Sequence, residues 1–260
     1  MNQKIDKQAT LAKLSLGKTT QYLETYSPNL LQAVPRSMNR VELNLTTELP
    51  FTGIDRWNGY ELSWLNPKGK PVVAVAEFRF ACTSPNLVES KSFKLYLNSF
   101  NQSQFSSVEQ VEKILTQDLS ATAGAQAKVS LFNVDHCPAL AIKSANNAIC
   151  IDDEDISVNN YQYQGALLAQ AQVNSSKDVV EEHLVSHLLK SNCLITNQPD
   201  WASIYINYKG VAINHSVLLA YLISFRQHNE FHEQCVERIC CDIMAQCKTS
   251  KLSVYARYTR

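Results

Sequence analysis

The chain has 260 residues, 45% of them hydrophobic, with 24 Lys+Arg against 24 Asp+Glu and a formal net charge of +0. That length supports one large domain or two ordinary modules without disulfide staples. The even charge lacks the basic excess of a nucleic-acid binder, no run approaches the ~20 apolar residues of a membrane span, and the opening residues carry no basic-then-apolar leader, so a cytosolic protein without direct nucleic-acid or membrane contact is expected.

In chain order, the first predicted element is a strand over residues 74–80, where β-branched and aromatic residues partly alternate. Apolar residues at helical spacing then predict helices over 91–100 and 108–119, separated by a polar break. The same order returns as a strand over 202–208 and helices over 217–227 and 231–247. Residues 1–160 and 161–260 are accordingly read as two modules, each an antiparallel sheet backed by a helix pair, in an α+β fold. The recurrence extends to residues. Ser99-Phe100-Asn101-Gln102 matches Ser224-Phe225-Arg226-Gln227 at an offset of 125 (224 − 99), and Val111-Glu112-Lys113-Ile114 matches Val236-Glu237-Arg238-Ile239 in the same register. The strand segments starting at Pro71 and Pro199 align at 128 (199 − 71).

The chemistry sits unevenly in the copies. Cys193 precedes Asp200 by seven residues across a predicted turn, placing a soft nucleophile near a proton donor. The competing reading is a cysteine that only packs. In the first copy Leu65 and Val72 stand at the Cys193 and Asp200 positions, while Glu89 faces Asn214 and His232-Glu233 faces Ser107-Val108. Each half lacks what the other holds, as expected of a site built across the interface between modules.

Eight cysteines include no CxxC pair, so free thiols in a reducing compartment and no metal site are expected. His183 with His187, and His228 with His232, have the i,i+4 spacing of one helix face but lack the HExxH form; they read either as a ligand pair or as a partly buried polar face. The seven glycines form no GxGxxG, which excludes a Rossmann domain.

Five sets of residues belong together: Glu89-Ser90-Lys91-Ser92-Phe93-Lys94-Leu95-Tyr96, Cys193 with Pro199-Asp200-Trp201, Phe231-His232-Glu233-Gln234-Cys235, Val254-Tyr255-Ala256-Arg257-Tyr258, and the amino-terminal Leu16, Gly17, Lys18, Tyr26 and Pro35-Arg36-Ser37. Together they resemble the NADPH-dependent 7-cyano-7-deazaguanine reductases in their two-module form. The resemblance implies a tunnelling fold, with four-stranded antiparallel sheets assembled into a barrel, and a homodimer. It implies a four-electron reduction of a small-molecule nitrile to an amine in the biosynthesis of queuosine, with NADPH as cofactor. Cys193 would form a thioimide, Asp200 would donate the proton and His232 would assist later transfers. Val88, Glu89, Ser90, His232 and Glu233 would bind substrate, the two glutamates as acceptors for the deazapurine N–H groups, although taken alone they read as ordinary exposed carboxylates. Ser90 and Lys91 would contact the cofactor, with Lys94 a weaker candidate, and family members carry further cofactor contacts beyond the position of Arg260. Two other readings remain: a zinc-dependent tunnelling-fold cyclohydrolase or pterin synthase relative, and a purine-binding module without chemistry.

Overall fold

The computed structural model describes residues 11–12, 14, 17, 22–46, 48–138, 147–171 and 179–259; Leu16, Lys18 and Arg260 lie outside them. The chain divides into two units, Met1–Ala141 and Ile142–Arg260. Residues 147–160, expected to belong to the first module, group with the second. The reason is that Ile149–Cys150 pairs with a strand of the second unit and Ile151 is buried in its core.

The first unit runs β1 (Ala33–Pro35), α1 (Ser37–Arg40), β2 (Ile54–Leu65), β3 (Pro71–Ala81), β4 (Asn86–Val88), α2 (Ser90–Asn98), α3 (Val108–Ala123) and β5 (Lys128–Phe132). Its described sheet is antiparallel in the order β2-β3-β5, three strands rather than the four implied by the resemblance, with β1 and β4 forming a separate ladder. α3 starts where Ser107 Oγ accepts the Gln110 N–H, and stops at Gly124, whose φ of 72° suits a residue without Cβ. Between those caps Val111, Leu115, Leu119 and Ala123 recur every fourth residue, and all are buried in a core with Leu62, Trp64 and Phe78.

The second unit runs β6 (Ile149–Cys150), β7 (Val179–Asn192), β8 (Pro199–Val211), α4 (His215–Ile223), a 3-10 turn (Ser224–Gln227), α5 (His232–Gln246) and β9 (Thr249–Tyr258). Its sheet order is β6-β7-β8-β9, antiparallel except for the parallel edge strand β6. Along β8, Ala202, Ile204, Ile206 and Tyr208 alternate onto the core face, against the Cys235, Ile239 and Ile243 stripe of α5. Gly210 permits a close approach, since a Cβ there would lie 2.3 Å from the Lys248 carbonyl oxygen.

Both units therefore contain a strand pair, two helices and a returning strand, and the duplication reaches into polar detail. Tyr26 and Tyr96 donate to Asp118 Oδ2 at 2.7 and 2.6 Å, and Tyr163 and Tyr221 donate to Asp242 Oδ2 at 2.7 and 2.5 Å. Ser99 Oγ and Ser224 Oγ each accept a backbone N–H from the residue after the first tyrosine, Ser27 and Gln164 respectively. Two registers differ from the sequence alignment. Leu65 and Asn192 occupy equivalent places, because each bridges a downstream segment, at Gln104 and Asn229. Asn66 is thus the counterpart of Cys193, and the second loop is a residue longer. In the second helix of each pair, the buried series Val111, Leu115, Leu119 matches Cys235, Ile239, Ile243, so His232-Glu233 stands opposite Val108-Glu109. Burial fixes that register, whereas the Val-Glu-basic-Ile match of the sequence lies one residue away from it.

Candidate functional site

In the second unit, the β7–β8 hairpin places the sulfur. Ser191 pairs with Asp200 and Asn192 with Pro199, and the Cys193 N–H donates to the Gln198 oxygen at 2.8 Å, continuing the ladder. Residues two apart on a strand share a face, so Cys193 lies diagonally across from Asp200 at the end of the hairpin. The thiol is partly exposed and unbridged. The loop closes through the Asn197 N–H on the Cys193 oxygen at 3.1 Å, with Asn197 at φ 55°, a conformation asparagine tolerates.

Asp200 is 6% exposed, and His232 Nε2 lies 3.2 Å from its Oδ2. His232 opens α5 and stacks on Tyr258 with centroids 4.0 Å apart and planes 2° from parallel. The imidazole is thereby held flat between a carboxylate at one edge and an aromatic face. Tyr258 comes from β9, and its hydroxyl is buried, which keeps it protonated. Cys193 and Asp200 from one hairpin and His232 from the start of α5 thus come to one end of the second sheet. Glu233 is partly exposed at the second position of α5, and Gln234 beside it is buried with both amide atoms lacking a hydrogen-bond partner.

Sequence reading missed the segment that braces this loop. The Asn192 N–H donates to the His228 oxygen at 2.8 Å, and the Glu230 N–H to the Asn192 oxygen at 3.1 Å. Asn229 Nδ2 donates to the Cys193 oxygen at 3.2 Å and also to Asn197 Oδ1. Below this, Arg238 grips Glu230 at 2.7 and 3.0 Å while His228 Nε2 lies 2.9 Å from the same carboxylate. Burial alone would raise the Glu230 carboxyl, but the His228 and Arg238 contacts outweigh it and hold the group at about 2. The only sequence signal was three polar residues, His228, Asn229 and Glu230, directly before an apolar-striped helix.

The histidine pairs do not share helix faces. His183 and His187 lie on β7, where four residues span about 13 Å. His228 precedes α5 and turns to Glu230, while His232 turns to Asp200.

In the first unit, Val88 ends β4 and is buried, and Glu89 caps α2. The Glu89 carboxylate accepts the Lys91 and Ser92 N–H groups, each at 2.7 Å, and is 1% exposed. It is therefore a structural cap rather than the exposed acceptor that its composition suggested. A carboxylate offers about four acceptor sites, so substrate contact would draw on those left over. Ser90 and Lys91 are partly exposed on the first turn, and Lys94 is exposed. A hydroxyl and an ammonium suit a phosphate of a dinucleotide. With Glu89 holding the backbone N–H groups, these two side chains rather than the helix end would carry that contact.

The class defined is a duplicated α+β protein whose second copy alone presents a thiol, carboxyl and imidazole on one sheet end. Residues 22–131 match the family model described as nitrile reductase, 7-cyano-7-deazaguanine-reductase N-term, and residues 199–260 match that of a QueF-like protein. A relative from Colwellia psychrerythraea (strain 34H / ATCC BAA-681), named NADPH-dependent 7-cyano-7-deazaguanine reductase, is 69% identical over 252 residues, covering 96% of this chain and 88% of that protein. The chain belongs to the 7-cyano-7-deazaguanine reductase family. Cys193 falls between the two matched spans but inside the length shared with the relative, which covers nearly the whole chain.

Proposed function

We propose that Cys193, Asp200 and His232 carry out the reaction of this NADPH-dependent nitrile reductase, which converts 7-cyano-7-deazaguanine to 7-aminomethyl-7-deazaguanine in queuosine biosynthesis. The observation that supports this assignment is the 3.2 Å contact between His232 and a buried Asp200, at the end of the hairpin that bears a partly exposed thiol.

A nitrile carbon is a weak electrophile, and attack on it places charge on nitrogen. The Cys193 thiolate adds to that carbon while Asp200 transfers its proton to the nitrogen, giving a thioimide and an aspartate. One transferable proton shared between Asp200 Oδ2 and His232 Nε2 suffices for this step, and His232 restores it for later ones. Stacking on Tyr258 limits the imidazole to motion in its own plane. NADPH, two for each nitrile, supplies hydride when bound. Ser90 and Lys91 hold its phosphate, and Lys94 adds positive charge on the same helix. Glu233 accepts the N–H groups of the heterocycle, and the unpartnered Gln234 amide lies next to it in sequence. Release of sulfur later regenerates the thiolate, which the Asn229-braced loop must accommodate in bonded and free states.

Each unit is read as a tunnelling-fold module, and the chain as a homodimer in the cytosol, where thiols stay reduced. The test is spectrophotometric. Protein, NADPH and 7-cyano-7-deazaguanine are mixed and the nicotinamide absorbance is followed. Consumption of two NADPH for each nitrile is expected with the unsubstituted chain and none with Cys193→Ala; retained turnover in that variant would remove the covalent role.

A further inference from the structure

Along β7, upstream of the hairpin, a second cluster has no part in the nitrile chemistry. Cys150 Sγ, a carboxylate oxygen of Asp152 and a ring nitrogen of His187 all lie within 4.8 Å of one another. From His187 to Cys193 is six strand positions, on the order of 20 Å. The cluster arises from an irregularity. The β7–β8 register shifts between Ser186 and Leu189, a bulge of the kind that re-aims a side chain, and His187 sits within it. The bulge frees the His187 N–H, which donates to Asp152 Oδ2 at 2.9 Å, while Ser186 Oγ donates to Asp152 Oδ1 at 2.6 Å. His187 Nδ1 lies 2.8 Å from Ser203 Oγ on the neighbouring strand, which anchors the ring. Cys150 arrives from the other side, on the short parallel strand β6, as a free exposed thiol.

We infer that Cys150, Asp152 and His187 form a binding site for a zinc-class divalent cation. Thiolate, carboxylate and imidazole are the donor types zinc takes, and three protein ligands with one open position match its tetrahedral preference. Ligand atoms around zinc stand about 3.3–3.8 Å apart, given bonds of about 2.0–2.3 Å, so closure needs a movement of about 1 Å. β6 is two residues long and Cys150 is exposed, so the segment that must move is the least restrained of the three. The hydrogen bonds from Ser186, the His187 N–H and Ser203 act as the outer contacts that orient a ligating carboxylate and imidazole. On binding, the ion takes the place of the Cys150 proton, which passes to solvent, and the thiolate and carboxylate balance the two positive charges. The ion would then tie the edge strand to the bulge of β7.

The test uses the full chain carrying Cys193→Ser, so that the hairpin thiol cannot contribute. Metal-free protein is titrated with Zn2+ against a chromophoric chelator, and separately with Co2+ to read the thiolate-to-metal absorption. One equivalent per chain with a thiolate band is expected, with affinity weakened at least roughly tenfold by Cys150→Ser and by His187→Ala. Circular dichroism confirms that these substitutions at exposed positions leave the fold intact. Stoichiometry below half an equivalent, a cobalt spectrum without the thiolate band, or affinity unchanged by either substitution overturns the site. Neither readout depends on NADPH oxidation.

Discussion

Replacing Arg238 with Met tests the brace beneath Cys193. Arg238 and Glu230 are both buried, and the guanidinium meets the carboxylate through two bonds at 2.7 and 3.0 Å. The substitution keeps the apolar stem but takes the guanidinium away from the buried Glu230 charge, which keeps His228 beside it. Removing one partner of a buried ion pair costs about 3–5 kcal/mol. Loss of the guanidinium over the Tyr163 ring, 5.2 Å from its centroid, adds about 1 kcal/mol. A loss of about 4–6 kcal/mol should appear as a lower denaturant midpoint, monitored by circular dichroism. Because segment 228–230 ladders with Asn192, formation of the Cys193 adduct should slow as well. Glu230 also sets an acid limit. Its carboxyl is held at about 2 against an ordinary 4.5, so its contribution is fully present above pH 4.5 and is lost as pH falls toward 2. Arg238→Met should flatten that part of the stability profile. Adding Glu230→Gln should recover part of the loss, since the buried charge is gone. A cost under about 1 kcal/mol, or a double variant no more stable than the single, would refute the argument that the buried pair holds the hairpin brace.

Asp200→Asn should leave the fold intact and slow thioimide formation by about 100-fold or more, measured by single-turnover adduct absorbance; an unchanged rate removes it as proton donor. Glu233→Leu should weaken substrate binding with little change in denaturant midpoint, whereas Glu89→Ala should cost about 1 kcal/mol or more of stability through loss of the α2 cap; equal midpoints would contradict the capping role. Burial pushes the thiols of Cys240 and Cys247 up to about 11 and that of Cys241 up to about 12, and it raises that of the fully buried Cys235 well above its ordinary value. At pH 8 iodoacetamide should therefore modify Cys193 before these four, with substrate slowing the loss of activity; mass spectrometry finding any of the four labelled first would contradict this order.

What lay open in the sequence was whatever depends on local pattern. The apolar stripes of α3 and α5, the alternation in β8 and the duplicated order follow from periodicities that a chain must obey to bury one face. The Cys193 to Asp200 spacing was legible for the same reason, since a hairpin brings residues across its turn together. Equivalences between the copies were less secure: one extra loop residue moved the counterpart of Cys193 from Leu65 to Asn66, which only ladder pairing reveals. The i,i+4 histidines misled because the same spacing lies together on a helix and apart on a strand.

By itself the sequence determined the repeated order of strand and helix pair and the α+β class, and it marked Cys193, Asp200 and His232 as candidates for the chemistry, because these are written in hydrophobic period and in residue type. Tertiary structure alone decided that His232 meets Asp200 from the start of another element, and that Tyr258 backs it from the last strand. It also decided that Glu89 is spent on a helix end and that a bulge turns His187 toward Cys150. Each of these joins residues far apart in the chain, through contacts fixed by burial and strand register that no local pattern encodes.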